Sequence, residues 1–74
     1  MMYTTGDVAE ILELHQRTVI RMVDEGRIKG FRIPGSLHRR VRHNDLLAWC
    51  QANADFDWAA EKLKAKEQEN GEVR

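Results

Sequence analysis

From Gly26 to Asn44 the chain carries six basic side chains, Arg27, Lys29, Arg32, Arg39, Arg40 and Arg42, together with two histidines and no Asp or Glu. The whole chain balances 12 Lys and Arg against 12 Asp and Glu, so this positive charge is segregated, not general. A plain run of like charge stays solvated and disordered. This one is interrupted by Phe31, Ile33 and Val41 and turns at Pro34-Gly35-Ser36-Leu37. Two short alternating segments around a Pro-Gly turn are the pattern of a folded hairpin. The strands are expected over Arg27 to Ile33 and His38 to Arg42. In the first, Phe31 and Ile33 point to one face and Arg32 to the other; in the second, Val41 faces in and Arg40 and Arg42 face out. Positive charge gathered on one element implies a negative partner. The largest common polyanion is nucleic acid, whose phosphates dominate binding energy.

Helical periodicity precedes the hairpin. Thr4 followed three residues later by Asp7 is a variant capping box, and Val8, Ala9, Ile11 and Leu12 then form one apolar stripe. This predicts a helix from about Thr5 to Glu13. Leu14 and His15 break the pattern. A second helix is expected from about Gln16 to Glu25, with Gly26 as its stop. Its apolar face holds Val19, Met22 and Val23, and Gln16, Arg17, Ile20, Arg21 and Asp24 fall opposite. Two short helices joined by a turn of about three residues make a helix-turn-helix. A third helix is expected from His43–Asn44 to Ala52, burying Leu46, Leu47, Trp49 and Cys50, with Asp45 suited to its first turn. Beyond it, residues 55–74 hold six acidic and four basic side chains. Phe56, Ala60 and Leu63 line a further helix there, and Lys64 to Arg74 reads as a fraying polar tail.

Size and composition exclude several classes of function. A chain of 74 residues is one small domain near the lower limit for a self-sufficient core. At 42% hydrophobic residues it folds, but has little left to enclose a large ligand cavity. The single cysteine, Cys50, rules out an internal disulfide framework and points to a reducing compartment. The start, MMYTTGD, lacks the basic and apolar regions of a secretion signal, and no apolar run is long enough for a bilayer. A cytoplasmic, nucleoid-associated protein is therefore expected. No nucleophile–base pair or carboxylate pair stands out, so no enzyme is expected. His15, His38 and His43 share no metal-ligand spacing with Cys50, and no metal, cofactor or small-molecule ligand is expected. Gly26 and Gly30 lack the strand–loop–helix order of a phosphate loop.

The order of elements resembles the small winged helix-turn-helix domains of the excisionase type, within the superfamily of MerR-like transcription regulators. The resemblance lies in Thr4-Thr5-Gly6-Asp7-Val8-Ala9-Glu10-Ile11-Leu12, Arg17-Thr18-Val19, Glu25-Gly26-Arg27-Ile28, Arg32-Ile33-Pro34-Gly35, Arg39-Arg40-Val41 and Asp45-Leu46-Leu47-Ala48-Trp49. It implies a mainly α fold with a small β-hairpin, α-α-β-β-α, over residues 1–54, followed by a short C-terminal helical segment and polar tail over residues 55–74. It further implies binding to double-stranded DNA. The second helix would enter the major groove with Gln16, Arg17 and Arg21 as base readers and Ile20 against a thymine methyl. The hairpin, or wing, would contact the backbone or adjacent minor groove through Arg39 and Arg40, with Ser36 and His38 beside them. Lys29, Arg32 and Arg42 complete the basic set of the wing. Where the family turn carries Gly this chain has Glu13, which implies a residue forced into an unfavourable backbone region; where the family has a capping Ser it has His15.

Several residues admit two readings. Arg17 and Arg21 are DNA contacts or solvated surface. Thr18 backs the core or binds a phosphate. Phe56 and Trp58 fold back on the core or form a stripe for a partner. At the level of the whole chain, a transcriptional regulator or architectural factor, an excisionase assisting a site-specific integrase, and a protein-interaction module fit the same domain. The expected partners are double-stranded DNA, further copies head to tail on DNA, and a recombinase or RNA polymerase.

Overall fold

The computed structural model describes residues 1–72. Its chain runs β1 (Met2–Thr4), α1 (Thr5–Leu12), α2 (Gln16–Asp24), β2 (Phe31–Arg32), β3 (Arg39–Arg42), α3 (His43–Ala52), a single 3-10 turn (Ala54–Phe56) and α4 (Asp57–Glu72). The fold is mostly helical with a small antiparallel sheet, a winged helix-turn-helix.

Local chemistry sets the start of α1. The Thr4 hydroxyl accepts from the Asp7 amide at 3.0 Å, and the Asp7 carboxylate accepts from the Thr4 amide at 3.1 Å. Both halves of the capping box are therefore made with Asp in the role usually held by Glu. The helix ends one residue before the expected limit. Glu13 takes a left-handed conformation, φ 56 and ψ 43, and the Leu14 amide folds back to the Ala9 carbonyl at 2.9 Å. This is the strained turn that Glu13 implied in the sequence. His15 precedes α2 and makes no side-chain cap.

At the other end of α2, the Gly26 amide bonds the Val23 carbonyl at 3.1 Å and the Arg27 amide bonds the Met22 carbonyl at 2.8 Å. This paired closure around a glycine with φ 77 is a Schellman motif. It shortens the first wing strand. The expected strand from Arg27 to Ile33 is reduced to Phe31–Arg32, because the amides of Arg27 and Ile28 both turn back to the Met22 carbonyl and are not free for a ladder. Ile28 instead drops into the core. The second strand begins at Arg39, and the His38 carbonyl accepts from the Ile33 amide at 3.0 Å to close the hairpin. Pro34 and Gly35 occupy the turn between them; the φ of 77 at Gly35 is the backbone state that a Pro-Gly type II turn requires.

The sheet has a third strand that the sequence reading left unassigned. β1 pairs with β3 at Met2–Arg42, Tyr3–Val41 and Thr4–Arg40, and β2 pairs with the other edge at Phe31–Arg40 and Arg32–Arg39, giving the order β1-β3-β2. Paired residues share a face. Tyr3, Val41, Arg39 and Arg32 are thus on the inner side. Phe31 lies outside with Arg40 and Arg42, half-buried beneath the Arg42 guanidinium, 4.6 Å from its ring centre.

One core joins all the helices. Val8, Leu12, Val19, Ile28, Val41, Leu46, Cys50 and Leu63 are its largest fully buried side chains. Burial pushes the Cys50 thiol up, away from the reactive thiolate. α4 contributes Ala59, Ala60 and Leu63, and Phe56 packs against the same cluster, its ring 4.8 Å from that of Trp49. Trp58, in contrast, is 40% exposed.

The polar tail expected after Leu63 is helical through Glu72; Val73 and Arg74 lie outside the described residues. An anchor beyond the apolar stripe accounts for the extension. A Glu67 carboxylate oxygen sits 2.8 Å from His43 Nε2, and the Tyr3 hydroxyl 2.6 Å from His43 Nδ1. The two ring nitrogens of His43 thus bridge Tyr3 and Glu67. Burial, then the Glu67 and Asp7 charges, hold the Tyr3 hydroxyl above its ordinary pKa, so it keeps its proton. β1, α3 and α4 are thereby tied at one point.

Candidate nucleic-acid interface

The polar face of α2 and the wing converge on one side of the molecule. Between them lies a groove of about 390 Å³ lined by Thr4, Thr5, Gln16, Ile20, Leu37, His38, Arg39 and Arg40. The hairpin comes this close to α2 because position 30 is glycine. A Cβ there would meet the Arg40 carbonyl and the Val23 side chain, each at 3.0 Å. At the floor of the groove, Gln16 Nε2 donates to the buried Thr5 hydroxyl at 2.9 Å, which orients the amide.

Each residue singled out in the sequence has a definite place. Gln16, Arg17 and Arg21 are exposed on α2 and Ile20 is half-buried. Arg17 and Arg21 meet no carboxylate among the described residues. Thr18 is exposed but lies on the other flank of α2, in a separate groove of about 600 Å³ with Leu14, Met22, Trp49 and Phe56. The Ser36 hydroxyl accepts from the His38 amide at 2.9 Å, which stiffens the wing tip. Beside it Leu37 is 78% exposed. Arg40 is half-buried and donates to the Arg39 carbonyl at 3.0 Å. Arg42 stands two residues further from the tip, over Phe31. Lys29 is exposed in the loop before β2.

Arg39, expected as a wing contact to DNA, has an acidic partner within the molecule. Its Nε donates to Asp24 Oδ1 at 2.7 Å and its Nη2 to Asp24 Oδ2 at 3.0 Å. Arg32 approaches the same carboxylate at 3.7 Å. The acid is remote in sequence but sits at the end of α2, opposite the inner side of β3. The hydrogen bond from Arg39 is the main cause that holds the Asp24 carboxyl below its ordinary pKa, and the same bond raises that of Arg39. A lowered carboxylate pKa means that the pair is complete above about pH 4 and is lost only as pH falls through the lowered value.

Asp24 and Leu37 are the residues of this face that the site reading missed. A lone exposed leucine beside a basic turn was the available signal for Leu37. For Asp24 there was none, since its partner lies 15 positions away.

The fold is that of the helix-turn-helix class, and the family match supports a DNA-binding helix-turn-helix protein. The helix-turn-helix domain family, of the excisionase-like kind, matches residues 2–54, and the chain belongs to it. Neither a curated protein nor a solved structure matches the chain. No helix among the described residues is long and apolar enough to cross a membrane.

Proposed function

We propose that this protein reads double-stranded DNA with α2 in the major groove and the wing on the adjoining backbone. It acts as a small transcriptional regulator or architectural factor, with excision assisting a site-specific integrase as the alternative output. The observation that carries the reading is the shared face. Gln16 and Ile20 of α2 line one groove with His38 and Arg40 of the wing, and Arg17 and Arg21 are exposed on the same polar face of α2. Gln16, Arg17, Ile20 and Arg21 are the base readers in this arrangement. Arg40, Arg42 and Lys29 supply phosphate contacts, with Ser36 and His38 at the tip. Thr18, on the far flank, is restricted to a phosphate at the start of α2.

Ala60 and Leu63 are spent in the chain's own core. This supports copies that meet head to tail on DNA over a dimer built through α4. The recruited partner on DNA would be a recombinase for the excision output and RNA polymerase for the regulatory one.

The test is a titration against random duplex DNA across a salt series. Binding should weaken steeply with salt, and Arg40→Ala should flatten the slope of log K against log salt by about 0.9. Absence of binding at low salt would favour a protein-interaction module.

A further inference from the structure

We propose that Asp24 and Arg39 form a permanent brace that sets the spacing between α2 and the wing. Asp24 is then a positioning residue for sequence discrimination, and Arg39 is a structural cation, not a DNA contact. The inference rests on the DNA-facing surface proposed above.

Asp24 is the last residue of α2. A carboxylate there faces the negative end of the helix dipole and needs compensation. Arg39 supplies it with a two-pronged contact, the geometry in which a guanidinium holds a carboxylate most firmly. The remaining nitrogen of Arg39, Nη1, donates to the Leu37 carbonyl at 3.0 Å. One side chain therefore joins the end of the helix, strand β3 and the wing tip. Its side chain is 16% exposed, against 57% for Arg32 beside it. To reach a phosphate, Arg39 would have to abandon all three bonds.

The consequence concerns register. Base readers on α2 and phosphate contacts on the wing act together only at a fixed separation. The brace and the close approach of Gly30 to Val23 and the Arg40 carbonyl fix it together. A loosened wing finds phosphates on any sequence, whereas the base contacts gain nothing. Removing Asp24 alone also leaves Arg39 and Arg32 uncompensated beside a polyanion.

The experiment uses two duplexes, one recovered by the wild-type protein from a random-sequence pool and one a scramble of it, each titrated over a salt series. Asp24→Asn combined with Arg39→Gln conserves net charge. It should leave the salt slope unchanged and lower the ratio of selected to scrambled affinity about tenfold. Asp24→Asn alone should lower the ratio similarly while steepening the slope by about 0.9 for each arginine it releases. Hydrogen exchange at the Ile33 amide, which closes the wing, should quicken in both variants. A slope flattened by about 0.9 in the double variant, with the ratio intact, would make Arg39 a phosphate contact and overturn the brace. So would unchanged exchange at Ile33. A wild-type protein that enriches no duplex from the pool and binds no duplex DNA at low salt overturns the DNA-facing reading itself, and the proposal with it.

Discussion

On α4 and its neighbours, several charges are paired within the molecule. Lys62 reaches Glu13 at 3.3 Å, Lys64 reaches Glu61 at 3.5 Å, and Glu67 holds His43 at 2.8 Å. Lys62 also lies over the Trp58 ring, 4.8 Å from its centre. On α2 and the wing, Asp24 holds Arg39 and Arg32 and Glu25 approaches Arg27 at 3.9 Å, and among the described residues Arg17, Arg21, Lys29, Arg40 and Arg42 have no carboxylate partner. The chain as a whole carries no net charge. Neutrality therefore hides two different surfaces, one whose basic side chains are mostly paired and one whose basic side chains are mostly open. Charge left open on a rigid face is what a polyanion exploits, because the cations lose little freedom on binding and displace counterions from the duplex.

The largest effect that separates the two regions is on stability. Leu63 is fully buried, on the face of α4 turned to the core. Leu63→Ala should cost about 2–5 kcal/mol in urea unfolding while leaving the DNA salt slope of the remaining folded protein unaltered. A change in slope at matched folded fraction would couple α4 to the DNA face and blur the comparison.

Next in size are the readers on α2. Arg17→Ala and Arg21→Ala should each cost about 1–3 kcal/mol on a selected duplex and much less on a scrambled one, with unfolding midpoints nearly unmoved. Equal losses on both duplexes would make them phosphate contacts and pass discrimination to Gln16, Ile20 or DNA shape.

What was legible in the sequence follows from how far each contact reaches along the chain. The capping box at Thr4 and Asp7 and the stop at Gly26 are bonds between residues a few positions apart, and each was visible as a motif, whereas the left-handed Glu13 was implied only by the family resemblance. The winged order and the basic wing were visible because periodicity and charge are properties of short windows. Three features were not. β1 is three residues long, too short to show alternation, and exists because Tyr3 finds Val41 across the sheet. α4 outlasts its apolar stripe because Glu67 meets a histidine 24 positions earlier. Arg39 looked free because Asp24 belongs to another element. In the first strand of the wing, the Schellman closure competed with the ladder for the same amides and won. Of the proposed interface, the residue types were readable. Their division into Gln16, Ile20, His38 and Arg40 around one groove, Thr18 on the far flank and Arg39 turned inward required the packing.

The smallest effect tests the local strain. Glu13 occupies a left-handed site that glycine fills without steric penalty, and its pair with Lys62 is exposed. Glu13→Gly should stabilise the fold by up to about 1 kcal/mol, after the entropy of the more flexible unfolded chain is set against the relief of strain. Destabilisation would show that the pair with Lys62 outweighs the backbone, and that the paired face depends on its ion pairs more than on its core.

Amide chemical-shift mapping during titration with a short random-sequence duplex shows directly whether one face is left open for DNA and the other is not. Shifts should concentrate in Gln16–Asp24 and in the wing from Gly35 to Arg42, with residues 57–69 of α4 unmoved. Shifts centred on α4 and the exposed Trp58, with α2 and the wing silent, would contradict this division between the two faces.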